Sequence, residues 1–455
     1  MDSKELRRFN ILTKSIFPLL VKTSIPTIIG MLISVIYNLT DTFFVGRLSN
    51  RAMIAAIGIV FSFVSIIQAI GFWFGYGSGN AMSKKIGEQD YAEAETISSI
   101  GLVLAIITGI VIAIGASIFI LPLSKLIGGS ASQDVLTFTV QYLRIIIISI
   151  PFSLYALTVY NQLRLCGNVR DGMIGLLSGM LSNMILDPLL MFPLKMGFIG
   201  AGYATLIGQI IGCITLTFLA KRHGNIPISV KKAHCNKNRI YHILAGGLPN
   251  FSRQAINSAA LVLLNVTAAR YGESMIAALT VSSRIAALAF MIMIGWGQGF
   301  QPICAMNYGA KQYSRVKKAF IITVAAGTIF LTVSAIILFF FAEQCIGLMS
   351  NDGEVVSTGI SILKMQCFSL PLLGFFAVSS MFMQNIGNYF SALLISVSRQ
   401  GLFYIPLLYL LPALYGKTGI YLLQPAADFL SFILAIAVVY RRYPCSAKKG
   451  TLLKP

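Results

Sequence analysis

The chain is expected to be an all-α polytopic membrane protein of twelve transmembrane helices in two parallel six-helix repeats. Three observations predict this class. Hydrophobic residues make up 56% of 455 and charged residues only 11%, with a mean hydropathy of +0.80, a balance that no soluble domain of this length keeps in solution. The apolar runs are about 17 to 25 residues long, as a helix needs to cross a bilayer. Their punctuation recurs, because motifs of the first half return in the second.

Taken in order, the runs centre near Ile33, Ser65, Ile107, Ile148, Met180 and Ile211, then near Leu261, Met291, Thr328, Leu370, Phe403 and Leu430. Short breaks rich in charge, Gly or Pro separate them. Met1 to Lys14 is polar and basic, and the run behind it is too long for a signal h-region and lacks a small-residue cleavage site. The first span is therefore expected to be retained.

The net charge of +20 is explained by its distribution. Lys4, Arg7, Arg8, Lys14, Lys84, Lys85, Arg164, Arg170, Lys221, Arg222, Lys231, Lys232, Lys237, Arg239, Lys311, Arg315, Lys317, Lys318, Arg441, Arg442, Lys448, Lys449 and Lys454 crowd alternate breaks and the termini, whereas the other breaks hold only Arg47, Arg51, Lys125, Lys195, Arg270 and Lys417. This is the positive-inside bias; it places both termini in the cytoplasm and removes the need for a nucleic-acid partner. The seven Cys are scattered without a C-x-x-C pair and read as helix filler, with no metal centre expected. His223, His234 and His242 lie in or beside the basic central loop. The absence of a P-loop argues against ATP drive.

Self-similarity organises the chain. Ile54-Ala-Ala56 recurs as Ile276-Ala-Ala278, Gly75-Tyr-Gly77 meets Gly297-Gln-Gly299, and Gly87 to Tyr91 meets Gly309 to Tyr313. With small slips, Pro26 pairs with Pro249, Pro151 with Pro371, Gly167-Asn168 with Gly387-Asn388, and Pro188 with Pro406. Residues 1–222 are expected to form an N-lobe, 223–239 a cytoplasmic linker, and 240–455 a C-lobe with a short basic tail. Six spans per repeat make the halves parallel, related by an axis along the bilayer normal. Prolines within or at the ends of spans remove backbone hydrogen bonds and permit bending, which suits a rocking transporter.

Two acids stand inside apolar spans of the first half, Asp41 and Asp187, where the second half has Leu263 and Ile405. A lipid-buried ionised Asp costs roughly 2.5 to 3.5 kcal/mol, so such a group is expected to face a cavity, a partner or a proton path. Tyr37 and Asp41 share a helical face at a spacing of four, as do Asn183 and Asp187, and Thr205 and Gln209. For Thr205 and Gln209 alone, capping or packing is the plainer reading. Met31, Met180, Met184 and Met196, with Phe43 and Phe44, are soft or aromatic side chains suited to promiscuous binding, although packing explains each more simply. Asp428 stands opposite Gln209 in the repeat, and Arg399 is a possible partner that the sequence alone does not pair with it.

The segments Asn38-Leu-Thr-Asp-Thr-Phe-Phe-Val-Gly46, Arg164-Leu-Cys-Gly-Asn168 and Asn183-Met-Ile-Leu-Asp-Pro188 resemble the signature stretches of the MATE family of multidrug and toxin extrusion transporters. The run from Gly387 through Pro406 to Gly419 resembles the family's matching region, and the chain is most similar to its bacterial DinF and MepA-like branch. The resemblance spans about Leu19 to Tyr440. It implies a V-shaped pair of six-helix lobes in the bacterial inner membrane, working without an organic cofactor as a monomer that is not an enzyme. The implied activity is export of amphipathic, often cationic compounds in exchange for inward H⁺ or Na⁺.

The branch's cation site maps onto Asp41, Asn183 and Asp187, which would also hold Na⁺, with Tyr37, Tyr142 and Thr205 as hydrogen-bonding neighbours. Met31, Asn38, Met180, Met184 and Gln209 are the substrate-cavity candidates, and Pro26 the bending point of span one. The acids that another branch keeps in its C-lobe are missing, since spans seven and ten offer Arg253 near an end and no Asp or Glu inside. A flippase for lipid-linked oligosaccharides would share the architecture but should carry a cationic cavity. An intramembrane prenyltransferase would need clustered Asp for Mg²⁺-diphosphate, which this sequence lacks.

Overall fold

The computed structural model describes residues 3–47, 50–222, 225–226 and 232–442, which are helical almost throughout, with no strand among the described residues. The amphipathic α1 (Ser3–Thr13) leads into α2 (Ile16–Gly46), α3 (Arg51–Gly87), α4 (Tyr91–Ile118), the short α5 (Ile120–Leu126), α6 (Gln133–Leu165), α7 (Val169–Met191) and α8 (Gly197–Ala220). The second half runs through α9 (Lys237–Ala268), α10 (Glu273–Gly309), α11 (Tyr313–Phe340), the short α12 (Ala342–Gly347), α13 (Gly353–Ser369) and α14 (Leu372–Asn385). It ends with α15 (Tyr389–Val397), a π-helical turn over Ser398–Phe403, α16 (Tyr404–Tyr415) and α17 (Lys417–Arg442).

Ten of these segments are long and apolar enough to cross a membrane, and α13 with α14 makes an eleventh span, bent by 55°. The bend falls at Leu370-Pro371 between the two helices, where proline has no N–H to continue the ladder. α9, 32 residues long, supplies the twelfth. Its Arg253, Gln254 and Asn257 dilute its apolar character. On α4, Ile107, Val111, Ile114 and Ile118 are each more than half exposed at spacings of three and four. This stripe would be a liability in water and is the surface that lipid covers.

The repeat is visible in backbone geometry as well as in letters. Gly167 and Gly387 both adopt left-handed φ, +83° and +88°, conformations open to glycine at little cost. The asparagine that follows each one caps the next helix, Asn168 through the Asp171 amide and Asn388 through the Ser391 amide. These caps satisfy amide donors that the first helical turn leaves orphaned. Gln89 and its counterpart Lys311 likewise share positive φ.

The chain packs as two units. The first runs to Phe251 and includes Ala305–Tyr313; the second holds Ser252–Cys304 and the described chain from Ser314 onward. The first unit extends past the linker because α3 and the start of α9 touch backbone to backbone. A Cβ on Gly77 would lie 1.9 Å from the Ile243 carbonyl oxygen, and one on Gly247 1.8 Å from that of Trp73. The Trp73 indole N–H donates to the Leu244 carbonyl at 2.7 Å and its ring stacks on Phe251. Farther along, a Cβ on Gly87 would lie 2.2 Å from the Met306 carbonyl oxygen and one on Gly309 2.1 Å from that of Lys84. Lys84 and Met306 occupy equivalent repeat positions, as do Gly87 and Gly309, so this contact is reciprocal.

The linker end is fastened to the first unit by charge. Arg239 donates to both oxygens of Glu93 at 2.8 and 2.7 Å, and Lys232 to Glu95 at 2.9 Å. α1 is held by Arg8, which donates to the Gly87 carbonyl at 3.0 Å, and by Arg7, which donates to Asn225 at 2.9 Å.

The close α3–α9 crossing has a direct consequence. Overpacking costs about 1–3 kcal/mol, so Gly247→Val should lower the thermal unfolding midpoint in detergent by at least about 3 °C. Gly353→Ala, where an added Cβ meets nothing within 4 Å, should leave it unchanged.

Candidate functional site

Within the first unit, α2, α3, α6, α7 and α8 enclose a cavity of about 990 Å³, open space at its mouth included. Glycines build its far wall. A Cβ on Gly179 of α7 would lie 2.9 Å from the Gly208 carbonyl oxygen of α8, and one on Gly208 would lie 2.8 Å from that of Gly179. Gly175, Gly179, Asn183 and Asp187 follow at steps of four, so one face of α7 changes along its length from a packing surface into a polar one.

The close crossing brings Asn183 against Thr205. Hydrogen-bond geometry sets the amide so that its N–H donates to Asp187 Oδ2 at 3.0 Å. Its oxygen then accepts from the Thr205 hydroxyl at 3.2 Å and from the Thr205 amide at 2.9 Å. Asp187 is fully buried and Asn183 nearly so, at 3% exposure. A carboxylate at that depth is costly unless hydrogen-bonded, and Asn183, itself anchored on α8, supplies the donor. Tyr142 of α6 is buried against α8, its ring stacked on Phe198 at 5.8 Å. Gly202 makes room, since a Cβ there would lie 3.3 Å from that ring.

Of the residues singled out from sequence, Tyr37, Tyr142, Met180, Asn183, Thr205 and Gln209 line the cavity. Asp187 lies behind Asn183. Met31 and Met184 are partly buried on α2 and α7 and are not among the lining residues. Met180 instead meets Ser34 of α2, whose hydroxyl lies 3.7 Å from the sulfur. Asp41 and Asn38 belong to α2, but their side chains lie outside the described residues. Pro26 stands inside α2, where the missing N–H leaves the Lys22 carbonyl without its helical donor. The Thr23 and Thr27 hydroxyls on either side donate back to carbonyls of the same helix.

Sequence reasoning missed two polar lining residues, Gln68 of α3 and Ser153 of α6. Gln68 was detectable as a lone amide inside the run Val64 to Ile70, whereas Ser153 carries no such signal. Among the described residues no group of His, Cys, Asp and Glu is gathered to hold a metal ion.

The second unit contains its own buried carboxylate, and the structure makes the pairing that sequence left open. Arg399 Nε donates to Asp428 Oδ1 at 2.7 Å, Gln424 donates to the same oxygen at 2.7 Å, and the Ser369 hydroxyl donates to Oδ2 at 2.7 Å.

The Asn183 linkage sets an expectation for stability. Thr205→Val removes one hydroxyl donor and should cost about 1 kcal/mol, read as a lowered thermal midpoint in detergent. Thr205→Ser should retain most of the wild-type value.

Known proteins agree with this architecture. The multidrug export protein MepA of Staphylococcus haemolyticus (strain JCSC1435) is 28% identical over 453 residues, which cover 99% of each chain. The crystal structure of a MATE protein in complex with MaL6 superposes with a TM-score of 0.88 at 24% identity, covering 95% of this chain and 97% of the other. An outward-facing multidrug resistance MATE transporter of the MOP superfamily gives 0.88 at 23% identity with the same coverage. The MatE family model matches residues 26–189 and 249–410, one segment in each half and together well over half of the chain, so this protein belongs to the MatE family.

Proposed function

We propose that the protein is a secondary multidrug efflux antiporter. It exports amphipathic, often cationic compounds in exchange for inward H⁺ or Na⁺, and Asp41 and Asp187 couple the two flows. The observation that carries this reading is the Asn183 amide, joined to Asp187 on one side and to Thr205 on the other, in the wall of a five-helix cavity. The full-length similarity to a multidrug export protein supports the class of cargo.

In this mechanism burial disfavours the ionised carboxylate while hydrogen-bond donors favour it, so a change in cavity hydration shifts the balance between the two forms. Protonation of the Asp41 and Asp187 pair weakens the bond from Asn183, because a neutral carboxyl is a poorer acceptor than a carboxylate. α2 then bends at Pro26, the cavity shrinks, and the exported compound leaves on the outer side. Return of the lobes delivers the ion to the cytoplasm, where both termini lie. A membrane potential supplies about 2.3 kcal/mol per charge per 100 mV, enough for roughly a fiftyfold gradient of a neutral compound per H⁺.

Everted membrane vesicles test the coupling. Asp41→Asn and Asp187→Asn should each reduce drug/H⁺ exchange at least about tenfold at unchanged protein level. Exchange that survives both changes while a C-lobe substitution abolishes it would overturn the assignment.

A further inference from the structure

The buried ion pair of the second unit lies where two helix irregularities converge. Arg399 sits in the π-helical turn Ser398–Phe403, and Ser369 ends α13 at the 55° bend into α14. Both meet Asp428, which is 1% exposed on α17. π-turns and broken membrane helices are frequent at functional sites because they redirect side chains and free backbone groups.

The guanidinium is gripped on two sides and open on a third. Nε donates to Asp428, and the group lies 5.1 Å from the centre of the Phe290 ring of α10. Among the described residues none accepts a hydrogen bond from Nη1 or Nη2, and neither nitrogen is a fully buried atom lacking a partner. The Arg399 side chain is 18% exposed, so its terminal fork reaches open space. Arg399 is ten residues in from the start of the span Tyr389–Tyr415, about 15 Å along the axis and within the depth of a hydrocarbon core about 30 Å thick. A guanidinium open toward hydrocarbon at that depth is expensive, so its open side is matched by water or a polar ligand better than by lipid.

We propose that the Arg399 fork is a recognition site in the C-lobe for a carboxylate carried by a transported amphipath. Two parallel N–H groups match two carboxylate oxygens. Asp428 and Phe290 fix the plane of the fork in advance. Because Asp428 cancels the net charge of the pair, the fork orients its ligand more than it attracts it, and a preference of about tenfold is expected. The depth of Arg399 disfavours a lipid headgroup as the source of the anion. The inference rests on the efflux reading only in requiring that the protein bind small amphipathic molecules.

Equilibrium binding to purified full-length protein tests it, using a zwitterionic fluoroquinolone and its methyl ester, which lacks the carboxylate. The double variant Arg399→Gln/Asp428→Asn keeps the buried shape and hydrogen bonding without either charge. The ratio of acid to ester affinity should fall about tenfold in this variant and by part of that in Arg399→Lys, which keeps the charge and loses the fork. Retained binding of a permanent cation such as ethidium reports an intact fold. An unchanged ratio in both variants, or no binding of the acid to the wild type, would overturn the proposal. Failure of the wild type to transport ethidium in vesicles would instead overturn the efflux reading, leaving the affinity ratio to decide the fork.

Discussion

An acid placed inside a bilayer must be held by donors, and the rest of this structure follows from how that need is met. Asp187 is fully buried, and Asn183 gives it a hydrogen bond without adding charge. Asp428, equally deep, receives three donors, one of them a guanidinium. The two carboxylates are thus stabilised in different ways. Asn183 brings Asp187 a neutral donor, whereas Arg399 brings Asp428 a charged one. The two acids do not occupy equivalent repeat positions, since Asp187 aligns with Ile405 and Asp428 with Gln209, so each half buries its carboxylate at a different place in the repeat.

Glycine makes such sites possible. An asparagine on one helix reaches a threonine on the next only where the backbones nearly touch, and Gly179 and Gly208 permit that approach. The same device, at larger scale, joins α3 to α9 through Gly77 and Gly247 and joins the ends of α3 and α10 through Gly87 and Gly309. In hydrocarbon there is little hydrophobic drive between helices, so close packing and interhelical hydrogen bonds carry their association. A bulky residue at any of these positions would push those backbones apart.

The twelve spans were legible in the sequence because the bilayer imposes length and apolarity on every crossing, and even the polar α9 keeps that length. The dipeptides Gly167-Asn168 and Gly387-Asn388 were legible as a repeat, and their left-handed turns and capping bonds came with the structure. Contacts between distant spans were not. The pairing of Arg399 with Asp428 depends on a π-turn that no local pattern announces, and the extension of the first unit to Phe251 depends on two glycines 170 positions apart. Within the site, the spacing of four placed Asn183 and Asp187 on one face of α7, and the link to Thr205 came only with the α7–α8 crossing. Met184, one turn from Met180, shows the limit of that logic, because a cavity samples part of a helix face and not its whole length.

In the proposed mechanism, export of a drug is tied to inward movement of an ion through the first unit. The most direct measurement is drug-driven pH change inside proteoliposomes holding the purified protein, recorded with and without Na⁺. An outward-directed gradient of a lipophilic cation should drive H⁺ in the opposite direction, and replacing Asp187 with Asn should abolish that flux. Drug movement with no accompanying change in pH and no dependence on Na⁺ would contradict the account.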